Sequence, residues 1–448
     1  MKTREIIITV IFALITIAVL VIVKFDIKMT MFILMSWLLL IVSIINIQYA
    51  VIVLLFSRSS MDALIENPLS IAGLSITISS LLACYSIIII IAYLLTNKIY
   101  VKNSIARSYY AFIIISIITA LIPGNYHFGL IYILKFISIL CIYLIVYFLC
   151  AWLENFERTI LKTIIASAII PLVLGLYQII FNKEASLIAG DLNRIHGTFV
   201  HPNVFAFFLL IIIAVSVIYL LNYNQKNLFL YFIIALSLVE LYSTYTRGAW
   251  LGLAFMVIIY TTFSKIKFSN KLLIFTLIIF LIIPLYTPIA DRFANVLSTN
   301  PEESSLATRV YIWKEMFILA FHKPLLGYGI GSFKTLSSHV LNWGIEAHND
   351  YLKLLVETGA LGLISYLVIQ WNTLATIIKK KHPNYRVLFI FLTVFFLLSL
   401  ADNIIDMTVC QWYIWALAAI YSRGQTPGAL TPTNYKLSPI HYPLSTIT

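Results

Sequence analysis

Four residues in the polar breaks of this chain have the chemistry to handle a phosphorylated substrate. Arg194 opens RIHGTFVHPN, Arg247 lies in TRGAWL, Arg309 opens RVYIW, and His348 lies in EAHNDYLKLL. A guanidinium offers N–H donors in a fixed fork and stays charged, which suits a phosphate or pyrophosphate. His348 stands where a polar segment turns into an apolar run. There the positive end of a helix favours a neutral imidazole that can take a proton. Plainer readings stand beside these. The arginines also suit snorkelling to lipid headgroups, or pairing with Glu240, Asp191 or Glu302. A histidine at a helix start often only ties down that helix end. Glu240 sits inside an apolar run, where an acid is costly and calls for a partner; Arg247, two turns on, is the candidate.

Other chemistries find less support. His196, His201, His322 and His339 share the side of His348, yet no H-x-x-x-H or carboxylate spacing suggests a metal cage, so no metal site is expected. GYGIG (327–331) has the glycines of a phosphate loop but no strand before it, and reads as a flexible turn. No D-x-D pair marks a nucleotide-sugar enzyme that depends on a divalent cation.

These residues need a scaffold, and composition decides which kind. The chain has 448 residues, 61% hydrophobic and 11% charged, against about 45–50% and about 25% in soluble domains. Such an excess requires lipid as the solvent. The net charge of +12 then reports cytoplasmic loops and not nucleic-acid binding. Cys84, Cys141, Cys150 and Cys410 all lie in apolar runs and read as small buried hydrophobes. Apolar runs of spanning length recur from 6–23 to 408–421 and predict 12–14 transmembrane helices. The first has no cleavage site after it and reads as a retained helix.

One alternating set of loops is dense in Lys and Arg, as at Lys265, Lys267 and Lys271 or at Lys379, Lys380, Lys381 and Arg386. The short loops of the other set hold only Arg58, Lys183, Arg194 and Arg247. The first set is therefore cytoplasmic, and 182–203, 244–247 and 290–347 lie outside. This parity leaves Lys2 and Arg4 outside as well, an awkward placement that one helix more or fewer in 1–56 would repair. The division predicted is transmembrane helices over 1–289, an extracytoplasmic loop over 290–347, further transmembrane helices over 348–423 and a disordered tail over 424–448. Within the loop, Leu306, Val310, Trp313, Phe317 and Ala320 recur at helical spacing. They predict an amphipathic helix on the outer surface, capped by Ser304 or Ser305 and closed by Pro324.

Taken together, RIHGTFVHPNVFA (194–206), TRGAWLGL (246–253), RVYIW with PLLGYGIGSF (309–333) and HNDYLKLLVETGALG (348–362) resemble the bacterial O-antigen ligases and O-antigen polymerases. The likeness covers roughly residues 160–371. It implies an all-α integral membrane protein of the GT-C type, a multi-pass protein of the bacterial cytoplasmic (inner) membrane with its active site on the periplasmic face. The implied reaction is an inverting, metal-independent glycosyl transfer that needs no cofactor. The implied donor is an undecaprenyl-pyrophosphate-linked oligosaccharide. Arg309 and Arg247, with Arg194 as a third, would grip its pyrophosphate. His348 would take the proton of the acceptor hydroxyl, and Asn349 belongs to the substrate-binding set. The acceptor would be a glycan or a lipid A core, and the further partners implied are membrane lipid and a chain-length regulator. Glu346 stands where the ligase form often has a second histidine, so the expectation favours a polysaccharide polymerase. A ligase, a protein O-oligosaccharyltransferase and a non-enzymatic lipid-oligosaccharide transporter are the alternatives.

Overall fold

The computed structural model describes residues 46–61, 103–122, 126–181, 194–223, 226–264, 305–341 and 344–423, with short pieces between 69 and 94. In chain order the helices are α1 (Ile47–Arg58), α2 (Ser104–Ala120), α3 (Tyr126–Trp152), α4 (Phe156–Ser167), α5 (Ile169–Phe181), α6 (Pro202–Asn222), α7 (Leu228–Ser243) and α8 (Arg247–Phe263). There follow α9 (Ser305–Ala320), α10 (Phe333–Leu341), α11 (Asp350–Lys380), α12 (Tyr385–Leu398) and α13 (Thr408–Arg423). The chain is a helical membrane protein. Among the described residues, four spans are long and apolar enough to cross a bilayer: Gly129–Trp152, Phe156–Phe181, Pro202–Asn222 and Asp350–Lys380. Five shorter apolar helices accompany them. The expected spans at 6–23 and 272–289, loop residues 290–304 and the tail after 423 lie outside the described residues.

Inside and outside divide as lipid requires. Helix α6 is buried without a break from Phe205 to Val215, and α13 from Thr408 to Ser422, so both are apolar all round because protein surrounds them. Helix α5 instead exposes Ile169, Val173 and Ile180 on one stripe, and α7 exposes Phe229, Phe232 and Val239. In water such stripes would be liabilities; in a bilayer they are the solvated surface. Helix α13 packs on α3, and α11 on α2.

Where a spanning helix breaks, its freed backbone groups find partners. Pro171 cannot donate to Ser167 O, and α4 gives way to α5 there; Ser59 Oγ donates to that carbonyl at 2.7 Å instead. Helix α11 breaks at Gly359, with φ 64° and ψ −168°. The GYGIG segment lies across that break. Tyr328 and Gly329 N–H donate to Val356 and Glu357 O at 2.9 Å each, and Ala360 N–H donates to Pro324 O at 2.8 Å. The two backbones are close enough to forbid side chains on both sides. A Cβ on Gly327 would come within 2.4 Å of Val356 O, and one on Gly359 within 2.3 Å of Leu325 C. The flexible turn expected at GYGIG is thus a fitted splint.

Two expectations need correction. Leu69–Ile71 and Leu74–Ile76 pair as an antiparallel hairpin within the stretch 1–289 expected to hold transmembrane helices. The short LSI repeats alternate with a period of two, which suits strands. Helix α9 begins at Ser305 as expected, but it is not amphipathic in the predicted sense. Its buried line is Ile312, Met316 and Ala320, whereas Val310 and Phe317 are exposed. Both faces are apolar, so periodicity could not choose the inner one.

Candidate active site

His348 lies just before the N-terminal end of helix α11. Asn349 is its N-cap, with Oδ1 accepting from Leu352 N–H at 3.0 Å, which satisfies one of the free donors of the first turn. His348 just before it adopts φ 46°, a left-handed conformation unusual for a residue with a side chain. Such strain persists only where surrounding contacts impose it. The imidazole Nδ1 faces Asp402 Oδ1 at 3.4 Å, across the loop between α12 and α13. That loop is fixed to the helix mouth from both sides: Asp350 N–H donates to Ser399 O at 2.8 Å, and Ile405 N–H donates to Asp350 Oδ2 at 2.9 Å.

Asp402 is the hub that the sequence reading passed over. Its Oδ2 accepts from Asn203 Nδ2 at 2.9 Å, and Asn203 Oδ1 accepts from Arg194 Nη2 at 2.9 Å. Arg194 Nε donates to Thr244 O at 2.8 Å and Nη2 to Thr246 Oγ1 at 3.1 Å. Arg309 reaches the same loop from α9, Nη1 donating to Ala401 O at 3.3 Å. Arg194, Arg309 and His348, more than 150 positions apart at the extremes, therefore meet around one carboxylate. Arg247, next to Thr246 in the chain, is the exposed first residue of α8. Asn349, expected to touch substrate, has its carbonyl oxygen engaged in the cap. The one available signal for Asp402 was an acid pair, Asp402 and Asp406, between the last two apolar runs.

The turn bearing Arg194 is held by side chains from other helices. Gln178 Oε1 accepts from His196 and Gly197 N–H at 3.0 and 2.9 Å, and Thr198 Oγ1 donates to Ser59 O at 2.6 Å. His201 closes the turn as the N-cap of α6, its Nδ1 accepting from Asn203 N–H at 3.1 Å. Burial and then the Arg194 charge lower its pKa, so it is a neutral acceptor. Burial pushes the Asp402 carboxyl up, but His348, the Asn403 N–H and the Arg309 guanidinium together hold it below the usual carboxylate value. Asp402 is thus an anion at neutral pH. An anion at Nδ1 fixes that nitrogen as the N–H donor and leaves the lone pair on Nε2, the tautomer of a general base.

A second set of charges lies one turn further into α11. Lys353 is 2% exposed and is held by Asp406 Oδ2, by Glu346 Oε2 at 3.2 Å and by Tyr132 OH at 2.8 Å. Lys135, the basic residue within α3, sits over the same Tyr132 ring at 4.8 Å. Glu240 does not pair with Arg247 as expected. It is fully buried on α7, and neither carboxyl oxygen has a hydrogen-bond partner. It lies against Gly175 of α5, where a Cβ would come within 2.5 Å of Oε2. Among the described residues, no group of three His, Cys, Asp or Glu side chains is placed to hold a metal ion.

This geometry lies where comparison with known proteins also points. Residues 232–367 match the family model described as O-antigen ligase. That is the family the motifs resemble, and the matched stretch holds Arg247, Arg309, His348 and Asn349, leaving Arg194 and Asp402 outside. Three relatives agree in kind. A protein of Rickettsia conorii provisionally named polysaccharide ligase is 26% identical over 220 residues, covering 45% of this chain and 51% of the relative. The general O-oligosaccharyltransferase of Acinetobacter baylyi is 28% identical over 202 residues, covering 40% and 35%. The ComP-specific O-oligosaccharyltransferase of the same organism is 25% identical over 214 residues, covering 45% and 39%. The chain spans about half the length of these curated relatives, or less. Glycan transfer is thus common to the names of these relatives.

Proposed function

We propose that the chain transfers a glycan from a polyprenyl-pyrophosphate carrier to an acceptor hydroxyl, at the outer mouth of α11 on the periplasmic side of the cytoplasmic membrane. The contact between His348 and Asp402, on a loop that also receives Arg309, carries this reading. Nε2 of His348 takes the acceptor's proton as its oxygen attacks the anomeric carbon. The bond from that carbon to the diphosphate oxygen breaks, and Arg309 and Arg247 take up the charge of the leaving diphosphate. A single displacement inverts the anomeric centre. The guanidinium groups supply the positive charge that a divalent ion supplies in other phosphate chemistry, so the transfer is metal-independent. Arg194 is largely engaged with Asn203, Thr244 and Thr246, so it positions Asp402 and contributes less to the clamp.

The family description and the polysaccharide-ligase relative favour a ligase. Glu346, where the ligase form often has a second histidine, favours a polymerase. The experiment is transfer by the purified full chain with an undecaprenyl-pyrophosphate oligosaccharide donor. Product is expected from wild type and none from His348→Gln at equal donor binding. Wild-type turnover in His348→Gln overturns the mechanism.

A further inference from the structure

The two carboxylates of the loop between α12 and α13 divide the site's charges. Asp402 gathers His348 and the arginines; Asp406, four residues on, gathers Lys353 and with it Glu346. The arginines already account for the leaving diphosphate, and His348, the base that takes the acceptor's proton, follows Glu346 by two residues in the chain. The second charge set is therefore available to the acceptor. Its cation is hidden: Lys353 is 2% exposed, whereas Glu346 is 34% exposed. One Glu346 oxygen is tied to Lys353, which fixes the carboxylate in place, two residues before His348 in the chain. Lys135 is half-buried and sits on Tyr132. An arriving acceptor therefore meets a fixed carboxylate, a good partner for hydroxyl donors and a repulsive one for anions.

We infer that Glu346 is the specificity-determining residue for the acceptor, receiving a hydroxyl of an uncharged sugar and excluding an acidic or phosphorylated one. This rests on the transfer reading above, but its test does not need turnover. Binding to the full chain in nanodiscs is measured for one oligosaccharide ending in glucose and for the same oligosaccharide ending in glucuronate. Wild type is expected to bind the glucose form roughly tenfold more tightly, the scale of one unit charge met at short range in a partly solvated site. Glu346→Gln is expected to bring the two within about threefold, and Glu346→Asp to keep the preference. Wild type that binds both equally, or neither, overturns the inference whether or not a variant folds. An unchanged preference in a folded Glu346→Gln overturns it as well. A preference that is present and Glu346-dependent in a protein that makes no product supports the inference and refutes the transfer reading alone.

Discussion

Replacing Asp402 with asparagine separates a base held by an anion from a histidine that merely caps a helix. The carboxylate serves two sides at once, with Oδ1 toward His348 Nδ1 and the Asn403 N–H, and Oδ2 toward Asn203 Nδ2. An amide has one carbonyl oxygen. Turned toward His348, it presents its NH₂ to the NH₂ of Asn203; turned the other way, it presents NH₂ to Nδ1 and draws the imidazole proton to Nε2. Asp402 is only 12% exposed, so the unpaired donor of the first orientation costs about 1–3 kcal/mol. The second orientation therefore competes, and it removes the lone pair from the nitrogen assigned as base. General-base catalysis is worth ~10²–10⁴ in rate, so a loss in that range is expected for Asp402→Asn. The assay is single-turnover transfer at saturating donor and acceptor, with donor affinity measured separately. Donor affinity is expected to change little. His348→Gln with Asp402→Asn is expected to be no slower than His348→Gln alone, because the two residues act as a unit. An Asp402→Asn rate within threefold of wild type, or an additive double variant, refutes the assignment.

Other consequences are quickly tested. Arg309→Lys is expected to lose nearly as much transfer as Arg309→Ala, since Lys keeps the charge but not the planar fork; full activity in Arg309→Lys refutes the clamp. The depressed pKa of Asp402 stabilises the fold above the ordinary carboxylate value, and this stability disappears as pH falls through the depressed one; acid unfolding of Asp402→Asn should show a shallower pH dependence in that window. Gly359→Ala and Gly327→Ala should each cost well over ~1 kcal/mol, read as loss of folded protein in detergent, because a Cβ there meets backbone and the φ is left-handed. A cysteine at exposed Thr335 should react with an impermeant thiol reagent in spheroplasts, and labelling only after lysis would place the site on the wrong side.

Composition alone settled that lipid is the solvent, because no fold can hide so much apolar surface from water. The motifs and their residue types offered Arg309 and His348 as candidates, since a membrane chain has few polar breaks to hold such groups. What the sequence could not show was which of these breaks meet. Asp402 looks like any loop acid until α12 and α13 bring it under His348, and Arg194 looks like a clamp until Asn203 and Thr246 occupy its donors. The same limit hid the pairing of Glu346 with Lys353, and it made Glu240 look like a partner for Arg247. Distance along a helix does not say which neighbour a buried carboxyl faces. Helix α9 shows the limit in another form: with apolar residues on every side, its pattern carries no direction. Only the packed structure decides which face meets protein, because both protein and lipid accept the same residues.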